Sequence, residues 1–369
     1  MTTNYTPPLY IKIASIFITL LSIGLIFFIG RNVLKPVLLA FLFAVLLLPI
    51  HSFLRKKLKL YNTLASLISV LFFVAVVIGI LTFISFQISA ISSDFDIIQK
   101  NFNSFLYECH KFIKEHFKVS IWEQKKYLED VTKDSVKKGN ESIGTMLVSV
   151  TDVLLDSTLI PIYTFLFLLY KDHFILFLSK LFKKENHAKL KEILCQIKIS
   201  INNYILGLLL EMVAVSVLTS AGLYFIGIKY FILLGLITGI LNMIPYIGIV
   251  IAGVLTVIAS LSGTPQMSVL IGILVVNIVV QLLDNNILVP LIINSKVEIN
   301  ALVSIIGIIV GGATAGIAGM FLAIPLLAIL KIIFDRLDGF EPWGYLMGNH
   351  LPKKFIWKIK SNKNVEGNV

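Results

Sequence analysis

The polar residues of this chain that could do chemistry stand in the middle of apolar runs. Glu211 sits amid Leu208, Leu209, Leu210 and Val213. A carboxylate at the centre of a hydrocarbon layer costs about 2.5 kcal/mol or more, so it must pair, take a proton or face water. The chemistry indicated is a proton or cation site; the bland alternative is an interfacial acid paired with a lysine such as Lys198. Gln281, Asp284, Asn285 and Asn286 form the densest polar cluster of the C-terminal half, and apolar sequence continues beyond them to Ile293. Carboxylate and amide oxygens are hard donors that suit Na⁺ or the hydroxyls of a polar ligand, although the same residue types also cap helices. Asn242, Pro245, Tyr246 and Gly248 interrupt a further apolar run. Pro245 removes a donor and frees a carbonyl, Tyr246 supplies a hydroxyl, and Gly248 admits close backbone approach. A tight turn between two hairpin arms and a ligand contact are compatible readings of this stretch.

A third interruption, Gly311, Gly312, Gly316 and Gly319 followed by Pro325, reads as close helix packing more than ligand contact. Pro161, Gly207 and Pro290 are expected at hinges or packing contacts. Asp152 and Asp156 share one helix face near the expected outer end of a span, where they form either a cation funnel or a solvated helix end. The six histidines are dispersed, and no P-loop, nucleophile elbow or zinc-protease spacing is present. No catalytic residue, metal site or cofactor is therefore expected, and the chain does not read as an enzyme.

The elements that must position these residues are membrane helices. The chain is 57% hydrophobic and 14% charged, against roughly a quarter charged in soluble domains. This predicts an all-α integral membrane protein of about six to eight transmembrane helices. Residues 1–91 hold three spans: Ile13 to Ile29, Pro36 to Ile50 and Leu64 to Ile88. The polar start, Thr2 to Leu9, precedes no small-residue cleavage site, so the first apolar run is expected to remain as a span. Residues 92–142 carry nine lysines and nine acids with an apolar helical stripe, and read as a small extracytoplasmic helical domain. The fourth span occupies 143–170, with Pro161 as a kink. Residues 171–203 have seven lysines against three acids and read as a cytoplasmic amphipathic segment on the lipid surface. The fifth span, from Tyr204 to Ile226, opens a broken-helix core over 204–335, and 336–369 is a basic tail.

Lipid cannot hydrogen-bond a freed backbone group, so breaks at membrane depth persist only inside protein or beside a wet cavity. Polar, discontinuous helices near mid-depth are the usual mark of a secondary transporter's binding site. Two topologies fit the core: three broken spans, or one span near Met267 to Ile293 between two re-entrant hairpins. Arms of 13 to 16 residues around Pro245 are short for crossing and favour the hairpins. The net charge of +11 suggests nucleic acid at first sight, but the lysines cluster beside spans and no nucleic-acid motif accompanies them. They read as topology signals and contacts to anionic membrane lipids. The positive-inside rule puts Arg55 to Lys59, 171–198 and both termini in the cytoplasm. Cys109 and Cys195 then lie on opposite sides of the membrane, so no disulfide between them is expected.

The stretch Pro161 to Asp172, the motif Tyr204-Ile-Leu-Gly207, Leu234-Gly-Leu followed by Ile244-Pro-Tyr-Ile-Gly248, Gln281 to Asn286 with Pro290, and Gly311-Gly312 through Ala323-Ile-Pro325 resemble, in order and spacing, the autoinducer-2 exporter family of bacterial permeases. The chain departs from that pattern at Ile249, where the family usually has proline, and at Asn294-Ser295 and Ile299-Asn300, where a Gly and a His-Pro pair are common. The resemblance implies an inner-membrane location, cytoplasmic termini, an extracytoplasmic insert and a homo-oligomer, with a pentamer as the expected form. It implies export of a small polar solute such as autoinducer-2, or alternatively Na⁺(Li⁺)/H⁺ antiport, since members are assigned to each. A membrane scaffold acting through its outer helical domain is the rival outside transport, but it has no need of Glu211 or of broken spans.

Overall fold

The computed structural model describes residues 24–92, 94, 97–102, 157–244, 248–263, 267–292 and 298–349, with isolated positions at 14, 18, 22, 104, 114, 120 and 122. About half of the first expected span, most of the insert, Asp152, Asp156, Pro245, Tyr246, Cys109 and the tail from His350 on lie outside the described residues. Among the described residues every regular element is helical. The protein is an all-α integral membrane protein. Among the described residues five helices are long and apolar enough to cross a bilayer, or six if one bent pair counts as a span, and one of the five, Ala301–Phe334, bends back on itself.

Helix α1 (Arg31–Lys56) and α2 (Asn62–Ser92) run past the expected span limits at both ends. Pro36 and Pro49 lie inside α1, which continues beyond Pro49 for two more turns. The fourth span, α3 (Ser157–Leu169), meets α4 (Lys171–Leu181) at a bend of 63°. The bend falls at Tyr170 and not at Pro161. Its cause is chemical: Lys171, Asp172 and His173 cannot continue into hydrocarbon, so α4 turns away along the interface. Helix α4 is apolar on an exposed side, through Phe174, Ile175 and Phe177, as a surface helix requires.

Helix α5 (His187–Phe225) is continuous for 39 residues. The expected boundary between a surface segment ending at 203 and a span starting at Tyr204 therefore falls inside one helix. Nothing between Ile201 and Ile205 breaks it, and both side chains are buried in the same core. The first half of α5 packs Ile201 and Ile205 against Leu39, Leu42 and Val45 of α1. The second half packs Leu223 against the elements that follow.

Those elements are α6 (Phe231–Asn242), α7 (Gly248–Ser260) and α8 (Met267–Leu283). The first two are shorter than a span needs and pack as a hairpin. Its open end is tied to the start of the insert. Asp94 accepts from Lys229 Nζ at 2.6 Å and from the Tyr230 hydroxyl at 2.7 Å. Those bonds hold the Asp94 carboxyl below its usual range and the Lys229 ammonium above its own. Asn101 donates to the carbonyls of Leu261 and Gly263 just past α7. Helix α8 runs without interruption through a π-helical turn (Asp284–Leu288) into Val289–Ile292. The expected break at Gln281 to Asn286 is therefore a widened turn in a continuous helix. Pro290 accounts for it: its ring lacks an N–H and crowds the carbonyl four residues back, so the turn opens to the i→i+5 spacing.

Helix α9 (Ala301–Phe334) is one helix by hydrogen bonding but two by path. Ala315 and Gly316 leave helical geometry, Gly316 at φ 62°. That left-handed backbone favours glycine. Beyond it the chain folds back, with Gly311 against Gly319 and Gly307 against Leu327. A straight helix would hold residues 307 and 327 roughly 30 Å apart. The base of the hairpin is closed by Asn300. Its Oδ1 caps the helix at Val303 N, and its Nδ2 donates to the carbonyls of Leu346 and Gly348 around α10 (Glu341–Met347). The tip lies against Arg31, Asn32 and Lys35. The core thus holds a long helix between two hairpins.

The Gly311–Gly319 contact leaves no room for a Cβ on either residue. Gly319→Leu is expected to lower the unfolding temperature of the detergent-purified protein, with an overpacking cost of about 1–3 kcal/mol or more. Gly263→Ala, at a residue whose added Cβ would meet nothing closer than 3.5 Å, is expected to leave that temperature unchanged.

Candidate functional site

Two antiparallel packings bring the polar residues together. Gly235 of α6 lies against Ser216 and Ser220 of α5, and Gly239 lies against Met212 and Ser216. One further turn in that register sets Asn242, the last residue of α6, beside Glu211. On the other side, Gly222 of α5 meets Val276 of α8 and Gly272 meets Ile226. Continuing down α8 for two turns brings Asp284 to the same level of α5.

The Asn242 side-chain amide donates to both acids, at 3.0 Å to Glu211 Oε1 and 3.1 Å to Asp284 Oδ2. Glu211 is 6% exposed and Asp284 3%. Glu211 Oε2 and Asp284 Oδ1 are buried with no hydrogen-bond partner among the described residues. The two carboxyls are near enough to hydrogen-bond each other when one carries a proton. Glu211 therefore does not use Lys198, which lies thirteen residues away along α5, or roughly 20 Å. The helical break adds to the field. Helix α6 ends at Asn242, and its final turn tightens, with Ile244 N bonding to Leu241 O. Carbonyls released there are the kind of ligand a half-helix presents to a cation.

The arrangement can accept positive charge. Two buried carboxylates that share one donor repel each other and cost several kcal/mol of hydration. The remedy is a shared proton or a monovalent cation on the two unpartnered oxygens. The amide of Asn242 fixes the other two oxygens.

The other sequence candidates are distributed differently. Gln281 is half-buried and donates to Asn285 at 3.0 Å, while Asn286 donates to the Leu282 carbonyl. Asn285 and Asn286 are exposed and lie off the Glu211–Asp284 pair. The polar run therefore splits: only Asp284 turns inward. Gly207 is buried within α5, and Pro290 follows the π-turn. Gly312 lies against Met320, and Pro325 is accommodated inside the second arm of α9. Pro161 lies in α3 with no bend beside it.

Sequence reasoning missed several polar groups. Ser216 and Thr219 bury unpartnered hydroxyls on α5, five and eight residues after Glu211; hydroxyls in an apolar span were the available signal. It also missed His51, which is fully buried, with Nε2 3.1 Å from Asn62 Oδ1 and Nδ1 3.2 Å from Lys171 Nζ. Asn62 in turn donates to the Leu169 carbonyl, so this cluster pins α1, α2 and α3 at one end.

A carboxylate pair bridged by an amide at a helical break, set between two hairpins, defines a multi-pass membrane protein built around a buried polar site. Residues 16–339 match the family described as AI-2E family transporter, and the chain belongs to that family. It is 31% identical to YrrI of Bacillus subtilis over 134 residues, 36% of this chain and 37% of that protein. It is 35% identical to YueF of the same organism over 131 residues, 36% of this chain and 35% of that protein. PerM of Escherichia coli K12 is 26% identical over 191 residues, 51% of this chain and 53% of that protein. The chain thus aligns with about a third to a half of the length of these relatives. Their names propose transport proteins or a permease and state no cargo.

Proposed function

We propose that the protein is a secondary transporter in which Glu211, Asn242 and Asp284 bind a proton and a monovalent cation in alternation. The observation that carries this reading is the pair of buried, unpartnered carboxylate oxygens on two helices, joined through one amide at the end of a broken helix. Either ion neutralises the pair, and both cannot do so at once, which is the condition for exchange. The hairpins on either side are the elements that would open the site to one face and then the other. No nucleotide-binding motif is present in the sequence, so an ion or solute gradient is the proposed source of energy.

Two cargoes fit. In the first, the ion drives export of a small polar solute such as autoinducer-2, whose class the family description suggests. In the second, the ion itself is the cargo and the protein is a Na⁺(Li⁺)/H⁺ antiporter. The donor set favours the second: two carboxylates suit a hard cation, and the one donor the described side chains place there, the Asn242 amide, is already engaged by the two acids. We further propose an inner-membrane orientation with cytoplasmic termini. Its support is the gathering of Arg55, Lys56, Lys171 and Lys198 at one end of the bundle, as the positive-inside rule requires of a cytoplasmic face.

In proteoliposomes, wild-type protein is expected to exchange Na⁺ or Li⁺ for protons. Glu211→Gln and Asp284→Asn are each expected to abolish this exchange with expression unchanged, whereas Gln281→Leu retains it. Normal exchange in both acid variants would refute the site. Solute flux that survives without any ion dependence would refute the coupling. For orientation, an impermeant thiol reagent applied to intact cells is expected to spare Cys195, which is exposed on α5; labelling of Cys195 would reverse the proposed topology.

A further inference from the structure

A cavity lies well away from the carboxylate pair. It has a volume of about 400 Å³ and opens between α1, α3, α4 and the first turns of α5. Its wall is almost wholly apolar, with Phe41, Leu48, Phe167 and Leu194 among the lining residues. Two polar side chains line it, and both are cations: Lys171 and Lys198. The two ammonium groups are near enough to repel each other, with Arg55 and Lys56 adding to the same field. The one acid beside them, Asp172, is already engaged by Arg55 at 3.7 Å. Lys171 is also held against His51 Nδ1 at 3.2 Å. His51 is locked in turn by Asn62, so the charge has a fixed place at the mouth of the cavity.

A slot lined by hydrocarbon with a cationic rim matches one ligand chemistry: an acyl chain that carries an anionic head group. We propose that this cavity is a specific site for an anionic phospholipid, with one acyl chain between α1 and α4 and the phosphate on Lys171 and Lys198. The setting supports a bilayer lipid over a free fatty acid. The α3–α4 bend lies where charged residues leave the hydrocarbon, which is the depth of a phosphate group, and basic pockets between helices at that level hold acidic head groups. Occupancy would screen the repulsion between the two lysines and brace α4 against α1 and α5. This site shares no residue with the Glu211–Asn242–Asp284 triad, so it stands or falls independently of the transport reading.

Native mass spectrometry of the detergent-purified full-length protein tests it with dioleoyl phosphatidylglycerol, dioleoyl phosphatidylcholine and oleate. Wild-type protein is expected to retain phosphatidylglycerol in preference to the other two. Each lysine contributes about fivefold to that preference. Lys198→Gln, at an exposed position that does not threaten folding, is expected to lose that factor, and Lys171→Gln with Lys198→Gln to bring the two phospholipids close to parity. Leu194→Trp, which fills the slot, is expected to reduce retention of both phospholipids, with the elution volume on gel filtration unchanged. Equal retention of the two phospholipids by wild type, an unaltered preference in Lys198→Gln, or stronger retention of oleate would each overturn the proposal.

Discussion

Two carboxylates at membrane depth need a donor to hold them and a positive charge to balance them. Asn242 is the donor, and its amide reaches Glu211 on one helix and Asp284 on another. It can do so because α6 stops there. In an unbroken helix the residue would sit one turn among many, its side chain competing with apolar neighbours for the same groove. The break, the glycine-to-serine packing of α6 on α5 and the place of Asp284 on the inner face of α8 are separate features with one geometric result. Removing the amide would leave two acids without the bond that sets their spacing, and hydrogen bonds to charged groups are worth about 1.5–3 kcal/mol each.

Helix α5 is the member on which this depends. One end packs on α1 and the first-half core, the other on α6 to α8, and Glu211 lies on the buried face between them. The first hairpin meets α5 through Gly235 and Gly239, which lets the backbones approach closely, whereas the second packs Leu322 against Leu39, Ile201 and Ile205. The ties at the ends are of a different kind. Asp94 with Lys229 and Tyr230 at one end, and His51 with Asn62 and Lys171 at the other, are polar and side-chain specific.

Much of this was legible in the residues. Apolar run lengths gave the membrane class, and the short arms around Pro245 favoured a hairpin. Glu211, Asn242 and Asp284 stood out because polar groups in hydrocarbon need a reason to be there. Three features were not legible, each for a physical cause. The start of α5 at His187 was hidden because its first turns are amphipathic, so hydropathy marks a boundary where hydrogen bonding has none. The π-turn at Asp284 looked like a break because a proline and three amides resemble a helix end; only the helix on both sides shows that the turn widens instead. The split between Asp284, facing inward, and Asn285 and Asn286, facing out, follows from the roughly 100° that successive helix residues are turned, which a reading of the run as a helix end does not apply.

The central claim is that one positive charge sits between Glu211 and Asp284 and can be either a proton or a metal cation. Proton release on cation binding measures it directly. Weakly buffered, detergent-purified protein is titrated with NaCl or LiCl in the presence of a pH indicator, with choline chloride as the ionic-strength control. The account predicts release that saturates near one proton per chain in the wild type and is absent in Glu211→Gln and in Asp284→Asn. Saturating release that persists in both variants, or no release from the wild type at any pH where it is folded, would contradict it.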